Sequence, residues 1–116
     1  MNVYEMIDRE LKKEKLVGDS SVVLEPKPIK IKGFAKHALQ RFKDRKATEE
    51  MAQHYIDTAL IMVKESKDKY EFVSEDGSSV ILEYGKLLTV IPRANYTVNQ
   101  EAKMEVILSC LKSMTM

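Results

Sequence analysis

The chain has 116 residues and a mass of 13.3 kDa, enough for one hydrophobic core and too little for two independent ones. Its 44% hydrophobic and 32% charged residues exclude a disordered or membrane-embedded composition. The net charge is only +1, and the single cysteine, Cys110, excludes an internal disulfide and a cysteine-built zinc site.

No apolar run approaches the roughly 20 residues of a membrane-spanning helix. The opening MNVYEMIDRELKKEKL is charged throughout, unlike a signal peptide. The expectation is a soluble, cytoplasmic protein without a membrane partner. The total charge conceals a division. Residues 26–46 hold Lys27, Lys30, Lys32, Lys36, Arg41, Lys43, Arg45 and Lys46 against Asp44 alone, a net of +7 that leaves −6 to the rest. A basic island in an otherwise acidic chain is the electrostatic footprint of a polyanion site, although charged residues also simply solvate a surface.

In chain order, residues 2–16 carry Val3, Tyr4, Ile7, Leu11 and Leu16 at helical spacing, which predicts a helix with a narrow apolar stripe. Turn chemistry at residues 18–21 ends it, and residues 22–24 suit an edge strand. Pro26 and Pro28 interrupt pairing, and residues 29–32 alternate apolar with lysine as a half-buried strand or an extended lead-in would. Residues 1–25 thus form an N-terminal helical extension to a core of residues 29–98, in a single domain spanning the chain. Gly33 precedes a predicted helix from Phe34 to about Lys46, with Ala38, Leu39 and Phe42 on its buried side. Thr48 caps a second helix, with Glu49 and Glu50 in its first turn and Met51, Ala52, Tyr55, Ile56, Ala59, Leu60 and Val63 at core spacing to about Ser66.

The period then becomes alternating. Asp76-Gly77 and Gly85-Lys86 are turns joining three strands, residues 70–74, 79–84 and 87–92, in an antiparallel meander. Residues 87–91 form the most apolar of the three strands and are therefore placed centrally, with Thr89 as the one hydroxyl in an aliphatic run. Asn99 caps a last helix, residues 99–113, that turns Ala102, Val106, Ile107, Leu108 and Leu111 to the core, with Cys110 as filler. The class expected is α+β: two helices on a three- to four-stranded antiparallel meander, with additional N- and C-terminal helices.

The chemistry-bearing stretch is GFAKHALQRFKDR. It sets His37, Arg41 and Arg45 at successive i, i+4 positions of the predicted helix, one titratable imidazole and two permanent cations along one stripe. That combination suits phosphate chemistry. Lys36, Lys86 and Arg93 are further cations, and Tyr84 and Tyr96 are aromatics able to stack bases, although strand-flanking tyrosines commonly pack at boundaries. His54 stands on the polar side of the second helix and is the other imidazole. Two histidines with scattered carboxylates make no metal motif, and four glycines include no phosphate-binding loop, so neither metal nor cofactor is implied.

The order KHALQRFKDR, a second helix, and strands ending in LLTVIPR resembles the small helix-helix-meander domains of the barnase/EndoU/colicin/RelE-like (BECR) nuclease superfamily. It is similar in particular to bacterial toxin and phage versions and to the related HA..R...R domains, over roughly residues 29–96. The resemblance implies metal-independent cleavage of RNA, tRNA or mRNA, with helices on one face of an antiparallel sheet. A toxin of this type would also meet a cognate inhibitor or immunity protein. The matching positions are His37, Arg41, Thr89 and Arg93. Such a hydrolase needs a base for the ribose 2′-hydroxyl, an acid for the departing 5′-oxygen and cations on the phosphorane. On this reading His37 transfers a proton, Arg41 clamps the phosphate, and Thr89 bonds a phosphate oxygen or orients the imidazole. Lys36, Arg45, Lys86, Arg93 and Tyr96 then hold the RNA. The alternative is a non-catalytic phage or mobile-element accessory module that uses the same basic face to bind nucleic acid or a protein partner.

Overall fold

In the computed structural model, which describes residues 2–44 and 47–115, the helices are α1 (Val3–Lys13), α2 (Ala38–Asp44), α3 (Glu49–Asp57) and α4 (Val98–Thr115). The strands are β1 (Val22–Leu24), β2 (Gly33–Phe34), β3 (Ala59–Ser66), β4 (Lys69–Ser74), β5 (Ser79–Glu83) and β6 (Lys86–Ile91). They form one sheet in the order β1-β3-β4-β5-β6-β2. Every neighbouring pair is antiparallel except β2 and β6. The chain is an α+β protein, and no helix among its described residues is long and apolar enough to cross a membrane.

Strand alternation divides the core into two layers. Met62, Phe72, Val80, Leu82, Leu87 and Val90 point to the face covered by α2 and α3, where Phe42, Ala52, Tyr55 and Ile56 meet them. Val23, Ile61, Val63 and Val73 point to the other face, against Ile7 and Leu11 of α1 and Met104, Ile107 and Cys110 of α4. Full burial of each large side chain contributes about 1.5–3 kcal/mol, and this ties both helix layers to the sheet. One charged pair enters the second layer: Lys103 Nζ lies 2.7 Å from the carboxylate of Glu71, which is 5% exposed.

The α1 and α4 helices confirm the two terminal helices expected, with shifted ends. Asn2 caps α1 by accepting from the Glu5 amide. Thr97, not Asn99, caps α4: its Oγ1 accepts from the Gln100 amide and the Gln100 side chain accepts from the Thr97 amide, a reciprocal capping box. The deepest residues of α4 are Met104, Ile107 and Cys110, while Ala102, Val106, Leu108 and Leu111 are only partly buried.

Three other expectations are corrected. The second helix does not reach Ser66. It ends at Asp57, where the amide and hydroxyl of Thr58 both donate to the His54 carbonyl, and Ala59, Leu60 and Val63 belong to β3. The run Ala-Leu-Ile-Met-Val carries no alternation because its strand is buried on both faces, and such a run also satisfies helical spacing. The meander therefore has four strands. The first helix begins at Ala38 and not at Phe34, because Gly33 and Phe34 pair in parallel with Lys86 and Leu87. Finally, β4 and β5 are the central strands, and β6 is flanked on its outer side by the two-residue β2 alone.

Two of the three hairpin turns show how local chemistry shapes the meander. Gly77 has φ +94°, and Asp76 before it accepts from the Ser74 hydroxyl and the Ser78 amide. Between β5 and β6 the left-handed pair is Tyr84 (φ +54°) and Gly85 (φ +79°), one residue earlier than the predicted Gly85-Lys86 turn. Two successive positive φ values are what a type I′ hairpin requires.

Candidate nucleic-acid interface

The basic segment is an extended strap, and its fixing points explain how its lysines reach solvent together. Ile29 and Ile31 pack on the core beneath α3, so Lys30 and Lys32 alternate outward. Gln53 of α3 holds the strap's backbone from both sides. Its amide nitrogen donates to the Ile29 carbonyl and its oxygen accepts from the Ile31 amide, each at 3.0 Å. Beyond that clamp the Lys32 amide donates to the Gly85 carbonyl, β2 pairs with the start of β6, and the Ala35 amide donates to the Leu87 carbonyl. Phe34 then meets Phe42 edge to face at 5.9 Å, joining strap to helix. Lys27, Lys30, Lys32 and Lys36 are all exposed, and exposed Lys86 lies on the neighbouring strand opposite Gly33.

His37 and Arg41 follow directly on this edge. His37 sits in the turn before α2, where its carbonyl accepts from the Arg41 amide. The ring is exposed and makes no hydrogen bond among the described residues. Of the expected stripe, His37 and Arg41 stand one turn apart. Arg45 lies outside the described residues. The Arg41 guanidinium donates to the Leu88 carbonyl at 3.1 Å. Leu88 is the extra residue of a bulge, where the pairing slips from Ile81–Thr89 to Leu82–Leu87. Arg41 therefore meets β6 next to Thr89. Thr89 itself is 7% exposed, and alternation with Val90 turns its side chain to the opposite face of the sheet.

The remaining expected RNA contacts lie elsewhere. Lys86 and Arg93 bracket β6, on the order of 20 Å apart at about 3.3 Å per residue. Arg93 forms an ion pair with Glu101 at 3.3 Å, and its guanidinium covers the backbone of Gly77. Tyr96 bonds the Ser79 hydroxyl at 2.9 Å, and burial, only partly offset by that bond, raises its pKa above the usual phenol value. His54 faces this end of the sheet too. Burial would raise the Asp76 carboxyl, but bonds from Ser74 and Ser78 outweigh it, and with the charge of His54 they hold it below the usual carboxylate value. Thus Lys36, His37, Arg41 and Lys86 gather on the basic edge, Arg93 and Tyr96 gather around the Asp76 turn, and Thr89 joins neither group.

No known family profile, curated protein or solved structure matches the chain.

Among the described residues, three cavities stand out, and none of these three has His37, Arg41 or Thr89 in its wall. A groove of about 710 Å³ runs between α1 and α4, with Glu10, Glu14 and Glu105 on its rim and Cys110 in its floor. Burial raises the Cys110 thiol above its usual pKa, so the thiol stays protonated. A second, of about 340 Å³, lies by Tyr96 and Val98 at the start of α4. The third, of about 330 Å³, adjoins the basic edge and is lined by Ile29, Lys32, Asp68, Tyr70, Leu82, Tyr84 and Gly85. Of its residues, Lys32 is marked in the sequence by the basic island, Gly85 by the turn and Tyr84 as a possible stacking aromatic. Gln53, Asp68 and Tyr70 were missed, because their roles depend on where a distant segment crosses the sheet.

Proposed function

We propose that the chain is an RNA-binding module that grips the phosphodiester backbone along the strap edge. The observation that carries this reading is the strap itself, whose backbone is clamped by Gln53 and by β6 so that Lys30, Lys32 and Lys36 stand outward beside Lys86. Lysines spaced along a clamped backbone present their ammonium groups in a row that a polyanion can meet without ordering the strap, and binding releases counterions. Arg41 adds a guanidinium at the end of the row. Binding of a fluorescent single-stranded RNA, lost when Lys30, Lys36 and Lys86 are replaced together by alanine, tests it. Retention of full affinity in that triple variant rejects it, and capture of a protein in place of RNA favours the accessory-module alternative.

A second reading is the metal-independent endoribonuclease of toxin or phage type that the HA..R...R resemblance implies. The exposed imidazole of His37, without a hydrogen bond among the described residues and one turn from Arg41, supports it, since a proton-transfer group and a phosphate-binding cation would then share one edge. Cleavage of total tRNA or mRNA in EDTA is expected on this reading, and His37→Ala should abolish it, a fall of at least 100-fold being usual for loss of a general acid or base. RNA left uncut across a range of pH by folded protein rejects cleavage and leaves the binding reading standing.

A further inference from the structure

Tyr84 is an anomaly that the fold does not explain. The residue is 70% exposed, so it contributes little to the core, and its backbone has φ +54°, a conformation costly for a bulky residue and natural for asparagine or glycine. The type I′ turn it opens would be better served by Asn-Gly. Strain retained at an exposed aromatic marks a position held for something other than stability.

The surroundings of Tyr84 say what that is. Its amide donates to the Asp68 carbonyl at 2.9 Å, which docks the β5–β6 turn against the β3–β4 turn and shapes the third cavity between them. Tyr70, Leu82 and Ile29 give this cavity apolar walls, and Lys32 and Asp68 add one cation and one carboxylate. The Lys32 stem lies over Gly85, where an added Cβ would come within 3.1 Å of it, so the turn and the strap are in direct contact. The cavity therefore opens beside the lysine row. Phosphates held by Lys30, Lys32 and Lys86 would deliver a neighbouring base to its mouth.

We infer that the cavity walled by Tyr84, Tyr70, Leu82 and Lys32 is a nucleobase slot, so that the preferred ligand is single-stranded RNA with one unstacked base inserted against tyrosine. This rests on the RNA-binding reading above and narrows it. Aromatic faces take any base and require it to leave its stack, which a duplex resists. Asp68 can accept from an exocyclic amino group while Lys32 holds the attached phosphate, which adds polar readout to a bare stacking surface. An apolar slot with no row of cations beside it would fit many ligands. The adjoining lysines restrict this one to a base attached to phosphate.

The test uses the full chain, a short single-stranded oligoadenylate carrying one 2-aminopurine, and a duplex RNA of the same length. Insertion against tyrosine should change 2-aminopurine fluorescence on binding to the single strand. Tyr84→Asn keeps a turn-compatible residue and should leave the melting temperature unchanged or raised, which separates loss of binding from loss of fold. It should weaken single-strand binding about 5- to 150-fold, the range for removing one base–aromatic stack, and leave duplex binding within about twofold. Tyr70→Leu keeps an apolar filler and should weaken the single strand in the same selective way. Equal single-strand affinity in parent and Tyr84→Asn, or no fluorescence change on binding, overturns the slot. If Lys30, Lys36 and Lys86 to alanine still weakens binding in that case, the basic-edge reading survives alone. If that triple variant also binds unchanged, both readings fall.

Discussion

Asp76 shows how one carboxylate can be set by its turn. Its oxygen takes a 2.6 Å bond from the Ser74 hydroxyl and a 2.8 Å bond from the Ser78 amide, and these outweigh the burial that would raise its pKa. The folded value is therefore below the ordinary 3.8 expected of the unfolded chain. A depressed carboxyl stabilises the fold fully above the unfolded value and loses that contribution as pH falls through the folded one. Asp76→Asn should accordingly be less stable than the parent at neutral pH. The gap between their urea midpoints should close as the pH is taken below about 3.8. A gap that stays constant down to strong acid would show that the carboxylate charge is not what the turn stabilises. Residue-scale features of this kind were only half legible in the sequence. Asp-Gly announced the turn, yet nothing local announced that Ser74 and Ser78 would close on the carboxylate or that His54 would face it. His37 and Arg41 were legible as a pair because one helical turn links them whatever else the chain does. Thr89 was legible as an odd hydroxyl in an apolar strand, but which face it occupies depends on the bulge at Leu88, which no short-range pattern encodes.

Elements were legible where one period ran unopposed and failed where two competed. The four-residue alternation of α1 and the Asp-Gly hairpin were read correctly for that reason. The run from Ala59 to Val63 fits helical spacing because a strand buried on both faces loses its alternation, and only the sheet decides between the two. The strap was ambiguous for a different reason: its conformation is fixed from outside. Gln53 supplies two hydrogen bonds that an adjacent strand would otherwise supply, and Asp57 orients its amide at 3.1 Å. Gln53→Leu preserves bulk but leaves the Ile29 carbonyl and the Ile31 amide without their partner. It should cost about 1–3 kcal/mol in urea denaturation, with an unchanged dependence on denaturant. It should also weaken RNA binding, since the lysines lose their fixed spacing while every positive charge remains. A Gln53→Leu protein destabilised as expected but binding RNA at full strength would show that the strap need not be pinned to bind.

For the whole molecule, a near-neutral net charge coexists with one strongly basic edge, and the fold makes this arrangement possible. Helices cover both faces of the sheet, leaving its β6 side as the place where an extended segment can lie with alternate residues facing solvent. The sequence discloses the charge island but not that it is spread along an edge, because that requires knowing that β2 pairs with the distant strand β6. If Lys30, Lys32, Lys36 and Lys86 each neutralise one phosphate of a single strand, log affinity should fall against log salt with a slope of about −3, at about −0.7 per contact. Each Lys→Ala change along the edge should then reduce the slope by about 0.7. Lys13→Ala, an equally exposed lysine in the last turn of α1, removes the same charge from a different part of the surface and should leave the slope unchanged. This comparison separates a localised contact from the weak attraction any extra cation exerts, since net charge falls equally in every variant. Equal slopes for Lys13→Ala and Lys36→Ala would mean that RNA senses only the total charge, and the edge would lose its claim to be a site.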